Sequence, residues 1–315
     1  MRRSTALAAA LAVACAVVAG CAGATDGTSG AVASSLPPGE ESPLVSALPS
    51  RITGPQGRTG QFIAKCGFSH RGPHDPIVHY DMPGMSHSHD FFGNEVTDSS
   101  TTTEDLQSGA TTCGKQSDRA SYWAPTLSDR GAPVTPDGLV AYYRPAPGTD
   151  PKDVEPYPAG LKMVSGNATA TEPQPVERVG WTCGSSSKLS PVPPAACPGS
   201  APLHLVVTFP DCWDGKATDS SDHQRHVAAS TDGKCPASHP VHVPQLMLSI
   251  SYPVTGPGHE LSLASGSIYS GHADFFNGWK PEDLEQEVRL CLHNGVVCGV
   301  ASNRSEEPLF RSTYD

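Results

Sequence analysis

Short segments in which hydrophobic and polar residues alternate recur through the middle of the chain. In one of them Leu203, Leu205 and Val207 occupy every second position, and Leu246 and Leu248 do so in another. Because successive side chains of a β-strand point to opposite faces of its sheet, this spacing predicts strands with one buried face. Together with apolar, β-branched runs of similar length, the pattern predicts strands over residues 139–145, 160–166, 178–183, 203–210 and 245–254.

Helical periodicity is scarce and falls in two segments. Residues 280–293 place Pro281 in a first turn, followed by acidic residues that suit the positive end of a helix dipole. Residues 101–109 place threonine and glutamate at a capping spacing. Glycine and proline number 31 each, so the loops are long and irregular. We therefore expect one mainly β domain, an antiparallel β-sandwich or jelly-roll-like fold with a few short helices.

The N-terminal 60 residues differ from the rest of the chain. A basic start and an apolar, alanine-rich stretch end in Val-Ala-Gly-Cys, which resembles the bacterial lipobox, where the signal is cut before a cysteine that carries lipid. An ordinary secretory signal is the alternative. The organisation expected is a signal peptide over 1–20, lipidated Cys21 with a flexible tether over 21–60, a globular domain over 61–300 and a tail over 301–315.

Export determines how the cysteines are interpreted. The chain would be secreted or anchored through lipid to the outer face of the cell membrane. Of 10 cysteines, eight lie beyond Cys21, and an even number in an oxidising compartment predicts four disulfides. The short separations favour pairing in chain order, with other pairings open: Cys66–Cys113, Cys183–Cys197, Cys212–Cys235 and Cys291–Cys298.

The net charge and the absent motifs exclude several function classes. With 21 basic and 32 acidic residues, the chain has a net charge of −11, which disfavours binding to nucleic acid. The sequence contains no Gly-x-Ser-x-Gly nucleophile elbow, no phosphate-binding loop, no dinucleotide fingerprint and no His-Glu-x-x-His. Hydrolases of those types, NTPases and dinucleotide enzymes are therefore not indicated.

Closely spaced histidines and aspartates are the candidate chemistry. His87 and His89 are two residues apart, so on an extended chain both point to the same side. Such pairs suit a divalent ion, because neutral imidazole is a good ligand for zinc or copper. Calcium is less favoured, through Asp214, Asp219 and Asp222. The predicted metal ligands are His87, His89, His223, His226 and His272.

The same groups suit acid–base chemistry on a polymer. Histidine titrates near neutral pH and is a common general acid or base. The predicted catalytic residues are His89, Asp222, His223 and Asp274. Trp213 and Trp279 lie beside these motifs and are predicted to stack on a sugar ring.

A phrase of similar composition occurs twice, as His-Asp-Phe-Phe at 89–92 and His-Ala-Asp-Phe-Phe at 272–276. We interpret the two as opposite walls of one site. Each would be anchored in the core by phenylalanines, which are Phe91, Phe92, Phe275 and Phe276.

Several longer motifs carry a family resemblance. "CGFSHRGPHDPIVHYDMPGMSHSHDFFGN", "VTFPDCWDGKATDSSDHQRHVAAS" and "HADFFNGW", in this order, resemble the domain of unknown function 1996 family, over about residues 62–299. The resemblance implies a secreted protein of bacterial or fungal type with no assigned activity. The family's motifs map onto His87 and His89; Asp211 to Gly215; Asp222, His223 and His226; and His272, Asp274 and Phe275.

Two functions therefore stand as hypotheses. The first is an exported lipoprotein whose His/Asp site, with or without a metal, acts on or binds an extracellular or cell-envelope polysaccharide. The second is a non-catalytic structural or binding lipoprotein, whose His–Asp hydrogen bonds only tie loops together. Metal capture for transport or storage is a smaller third option.

Overall fold

The computed structural model describes residues 60–185 and 188–298. The predicted signal peptide, Cys21 with its tether up to residue 59, and the tail over 301–315 lie outside the described residues. Within the described part, no helix has the length and apolar character needed to cross a membrane.

Two large sheets dominate the domain, and neighbouring strands are antiparallel except for one parallel pair at an edge. The six-stranded sheet has the spatial order β19 (Val297–Cys298), β1 (Gln61–Cys66), β7 (Gly138–Arg144), β15 (Gln245–Tyr252), β11 (Leu203–Thr208) and β9 (Val179–Cys183). The five-stranded sheet has the order β2 (Phe68–Gly72), β3 (His89–Gly93), β4 (Ser121–Pro125), β18 (His272–Phe276) and β8 (Lys162–Gly166).

Smaller elements decorate the loops. Three short sheets consist of β5 (Leu127–Asp129), β6 (Ala132–Pro133) and β17 (Leu261–Leu263); β12 (Cys212–Trp213), β13 (Val227–Ala228) and β14 (Val241–His242); and β10 (Ala196–Cys197) and β16 (Gly256–Pro257). The helical segments are α1 (Thr103–Ser108), a 3-10 turn (Pro151–Asp153), α2 (Pro281–Glu287) and a π-helical turn (Val288–Leu292). The mainly β fold, the five predicted strands and both predicted helices are confirmed.

The five-stranded sheet is covered on both faces. Its inner face, which includes Phe92 and Phe275, packs against the six-stranded sheet in the main core. Its outer face has a second, smaller core formed by Ile77, Phe91, Leu106, Trp123 and Phe276. All four phenylalanines of the doubled phrase are buried, as predicted. Every residue of the three central strands β3, β4 and β18 is buried, so the polar groups on these strands require partners or a specific role.

The disulfides follow the predicted chain order. Cys66–Cys113, Cys183–Cys197, Cys212–Cys235 and Cys291–Cys298 are all formed. Each crosslink restricts the unfolded chain and so stabilises the folded domain.

One buried carboxyl connects the two sheets. Asp118 is fully buried, and its Oδ2 accepts a hydrogen bond of 2.8 Å from the Tyr122 hydroxyl. That hydroxyl also hydrogen-bonds the hydroxyl of Tyr143 in the opposite sheet. Burial raises the pKa of Asp118 to about 7. The folded domain therefore favours the protonated carboxyl.

We expect Asp118→Asn to flatten the pH dependence of the free energy of unfolding. Between the ordinary carboxyl pKa and about 7, the unfolded chain releases the Asp118 proton while the folded domain keeps it, so wild-type stability falls as pH rises. The loss is on the order of a few kcal/mol. Urea unfolding across this pH range measures it. Exposed Glu155→Gln is the control, and an unchanged slope in the Asp118 variant would contradict the assignment.

Candidate metal centre

The doubled phrase lies on two strands that flank the same central strand. In β3, Phe91 pairs with Trp123 of β4, and in β18, Asp274 pairs with Trp123 from the other side. His89 pairs with Pro125, and continuing the β18 register places His272 at that same level. Because side chains alternate along a strand, both histidines project from the outer face of the sheet. The strand register therefore brings the two phrases together.

A one-residue difference between the phrases gives their aspartates different environments. In β3, Asp90 directly follows His89, so it points to the inner face, where Arg71 Nε lies 2.6 Å from its Oδ1. In β18, Ala273 separates His272 from Asp274, so this carboxylate stays on the outer face beside the histidine. A shift of one residue moves a side chain to the opposite face. Only the second phrase therefore contributes a carboxylate to the histidine cluster.

A loop over residues 73–88 brings the third histidine to the outer face. The ring centroid of His87 lies 4.2 Å from that of His89 and 5.1 Å from that of His272. His89 and His272 are buried, whereas His87 is only half-buried. The cluster is therefore reached from the side of His87.

The backbone fixes the orientation of the two buried rings. His89 Nδ1 lies 2.9 Å from the carbonyl oxygen of His74, and His272 Nδ1 lies 2.9 Å from that of Ser270. A carbonyl only accepts, so each Nδ1 carries the proton and each Nε2 presents its lone pair. Hydrogen bonds of this kind typically orient metal-ligating histidines.

The remaining ring nitrogens have the geometry of an open ligand set. Nε2 of His87 and of His89 are buried and have no hydrogen-bond partner in the described part of the chain. One ring nitrogen from each of His87, His89 and His272 lies within 4.8 Å of the other two. Tetrahedral ligands at normal metal–nitrogen lengths are about 3.3 Å apart. Small side-chain rotations would close this gap.

Burial sets the protonation of the site. It lowers the pKa of His87 and His89 and lowers that of His272 to about 4, so all three imidazoles are neutral at pH 7. Neutral imidazole is the form that binds a metal. Burial, and then the nearby carboxylate of Asp75, raise the pKa of Asp274, whose Oδ2 lies 4.0 Å from His272 Nε2. A cation at this point would offset the free-energy cost of burying that carboxyl in its charged form.

The Asp-His-x-x-His loop does not join the cluster. His226 is buried and both ring nitrogens are engaged, Nδ1 with the Ser220 hydroxyl at 3.0 Å and Nε2 with the Lys162 carbonyl at 2.6 Å. The prediction that His226 is a metal ligand is therefore wrong in this structure, because both of its ring nitrogens are engaged in hydrogen bonds within the protein. His223 pairs with Asp219 at 2.9 Å, outside the group of three.

The other predicted carboxylates hold loops. Asp222 is exposed and accepts the backbone N–H of Arg225 at 3.0 Å, which with further hydrogen bonds holds its pKa well below the usual range. A carboxylate so stabilised is a poor general base. Asp214 accepts two backbone N–H groups. No group of metal-binding geometry among the described residues includes Asp214, Asp219 or Asp222, so the calcium alternative has no structural support.

The two predicted sugar-stacking tryptophans are differently placed. Trp279 is only 1% exposed, and its Nε1 donates to the Tyr143 hydroxyl at 3.1 Å. Its predicted role in sugar stacking is therefore wrong, because the ring lies in the main core. Trp213 is half-buried against that core, and its Nε1 donates to the Ala217 carbonyl at 2.6 Å.

Other metal-like groupings are explained by disulfides. Three further clusters in the described residues each contain two cysteines joined to each other, so no thiolate is available: Cys212, Cys235 and His242; Cys66, Cys113 and Asp118; and Glu287, Cys291 and Cys298. The histidine cluster is thus the grouping with free ligand atoms.

Sequence reasoning missed the residues that support the cluster. Asp75 is buried, and its Oδ1 accepts the N–H groups of Ile77 and Val78, which shapes the loop before His87. Lys162 Nζ donates to the Pro76 carbonyl at 3.1 Å and holds the same loop on the sheet. The Asp-Pro at 75–76 was a turn signal that could have identified the first. The role of Lys162 depends on strand order, so no local sequence signal identifies it.

The comparisons with known proteins agree with the motif resemblance. A family model described as "Domain of unknown function (DUF1996)" matches residues 75–279, a range that contains all three clustered histidines. No curated protein and no solved structure matches the chain.

We expect Gly166→Ala to destabilise the domain next to His272, with which Gly166 pairs. Its φ of +92° is rarely adopted by other residues, and an added Cβ would lie 2.5 Å from the Gly271 carbonyl oxygen. The free energy of unfolding should fall by more than about 1 kcal/mol in urea unfolding. At Gly199 an added Cβ meets no atom within 4 Å, so Gly199→Ala is the control. Equal stability of the two variants would contradict this account.

Proposed function

The chain belongs to the DUF1996 family, and we propose that its domain binds a divalent transition-metal ion through His87, His89 and His272. The observation that carries the proposal is the convergence of three imidazoles, two of which keep a buried Nε2 without a partner among residues 60–185 and 188–298. A buried polar atom left without a hydrogen bond costs free energy, so its retention calls for an explanation. A bound cation supplies one.

The alternative, a purely structural network, is less well supported. A histidine that only ties loops together satisfies both ring nitrogens, as His226 does with Ser220 and Lys162. His89 instead satisfies only Nδ1 within the described part of the chain, and its ring lies 4.2 Å from that of His87 and 5.8 Å from that of His272, measured between centroids. Three uncharged rings in contact gain little from one another in hydrogen bonding. They gain much from a shared ion.

The donor atoms favour zinc or copper over calcium. Three imidazole nitrogens suit zinc or copper, whereas calcium requires six or more oxygen ligands. A three-histidine set leaves a coordination position open, as in catalytic zinc sites, and an ion there can polarise a bound water or a substrate oxygen. Asp274 lies beside His272, and a bound cation would favour the carboxylate form in which its Oδ2 could accept a proton. This arrangement supports a hydrolytic role better than a closed structural site would.

We further propose that the substrate or ligand is an extracellular or cell-envelope polysaccharide, bound by a protein exported through its N-terminal signal and anchored by lipid on Cys21. With Trp279 in the core, an exposed aromatic candidate is Tyr80, which is 48% exposed on the loop that carries His87. Lys162 Nζ lies 5.2 Å from the centroid of its ring. An exposed aromatic ring suits stacking on a sugar face.

The metal proposal predicts that His89→Ala loses metal affinity while His226→Ala keeps it. Purified, chelator-treated domain would be titrated with Zn(II) in a calorimeter. We expect one site in the wild type and an affinity lower by about a hundredfold or more in His89→Ala, roughly 3 kcal/mol. His226→Ala also removes a buried histidine and controls for lost packing. No binding by the wild type, or equal losses in both variants, would overturn the proposal.

The polysaccharide proposal predicts that Tyr80→Ala weakens retention on an insoluble polymer. Peptidoglycan, chitin and cellulose would be tested in pull-down assays, with an expected rise in Kd of about tenfold, roughly 1.4 kcal/mol. Val192→Ala removes exposed apolar surface elsewhere and should leave retention unchanged. If none of the polymers retains the wild type, the polysaccharide part fails and the metal part is unaffected.

A further inference from the structure

Two methionines flank a tight turn that leads directly to His87. Met82, Pro83, Gly84 and Met85 are consecutive, and the Met85 N–H donates to the Met82 carbonyl at 3.2 Å. Gly84 has a φ of +77°, and proline followed by such a glycine is typical of a type II turn. This turn brings the first and fourth residues within about 7 Å of each other at their Cα atoms. The two thioether side chains therefore leave the backbone close together.

The turn is attached to the same loop that orients the metal centre. Its Gly84 N–H donates to the Pro73 carbonyl at 3.3 Å, and the Met82 N–H donates to the His79 carbonyl at 3.0 Å. The carbonyl of His74, next in sequence to Pro73, holds the His89 ring. His87 follows Met85 by two residues, which span at most about 7 Å. The two methionines thus belong to the backbone turn that immediately precedes His87, the ring through which the cluster opens to solvent.

Both methionines are exposed, which is unusual for this side chain. Met82 is 52% exposed and Met85 is 66% exposed, whereas Met163 is buried in the core and Met247 is half-buried on a strand. Methionine normally fills gaps in a core. Two exposed thioethers at the two ends of one turn are available to bind a ligand from solution.

We propose that Met82 and Met85, together with His87, bind Cu(I) and pass it to the centre of His87, His89 and His272. This inference rests on the proposed metal site and adds monovalent Cu(I) to the divalent ions that the site binds. Thioether sulfur is a soft ligand that selects Cu(I) and binds zinc poorly. The transfer exchanges sulfur for imidazole ligands at one ion and involves no electron transfer. Because His87 is shared by both ligand sets, the ion never has to leave the protein.

The test measures Cu(I) and Zn(II) affinities separately in the same variants. The purified domain would compete under anaerobic, reducing conditions with a chromophoric Cu(I) chelator. The double substitution Met82→Leu with Met85→Leu should lower Cu(I) affinity about tenfold or more, and Zn(II) affinity should not change. X-ray absorption should find sulfur bound to Cu(I) in the wild type and not in the variant. Met247→Leu, remote from the loop, is the matched control.

The outcomes separate this inference from the proposed function. If Zn(II) binds through His89 but Cu(I) affinity is indifferent to the leucine pair, the copper inference is overturned and the metal site stands. If neither ion binds the wild type, both fail. Leucine keeps the exposed surface apolar, so a partner that docks on Val78, Tyr80 and the turn would bind the variant as before. Loss of Cu(I) binding therefore reports on sulfur rather than on hydrophobic area.

Discussion

The strict alternation of side chains across the five-stranded sheet is the constraint on which the candidate site depends. Because β3 and β18 pair with opposite sides of β4 at a common level, His89 and His272 project together from one face. The single residue Ala273 decides that Asp274 joins them, while Asp90 turns inward to Arg71. The phrase in β3 thus supplies His89 to the cluster and an ion pair between Asp90 and Arg71. The phrase in β18 supplies His272 and the carboxylate of Asp274.

Much of the fold was predictable because it depends on local patterns. The alternation around Leu205 and Leu248 specified two strands of the six-stranded sheet, and short separations identified the cysteine pairs. The site was less predictable because it depends on contacts between distant segments. His226 was predicted to be a metal ligand, but its Nε2 is hydrogen-bonded to the Lys162 carbonyl. Trp279 was predicted to stack on a sugar ring, but it lies in the core and its Nε1 donates to the Tyr143 hydroxyl. Nothing local reveals such partners, since strand order determines them.

The histidine cluster concentrates buried polar atoms that lack hydrogen-bond partners among the described residues. Other such atoms are scattered through the domain, as Ser117 Oγ and the Tyr252 hydroxyl are, whereas the buried Asp118 is paired with Tyr122. At the cluster, Nε2 atoms and one oxygen of Asp274 are buried without partners in the described residues. Such local conflicts are typical of functional sites, whose cost in stability the remaining structure offsets. Four crosslinks and a core on each face of the five-stranded sheet provide that stability.

His87 differs from its two neighbours in lying on the loop rather than on the sheet. An ion shared by all three histidines would therefore link the loop over residues 73–88 reversibly to strands β3 and β18. By linkage, whatever orders residues 73–88 would tighten ion binding, and the ion would order the loop by the same free energy. Since Tyr80 and the Pro-Gly turn belong to this segment, the surface offered to a ligand would differ between the loaded and the empty protein. Metal supply would then act as a control on recognition, with no second regulatory site required.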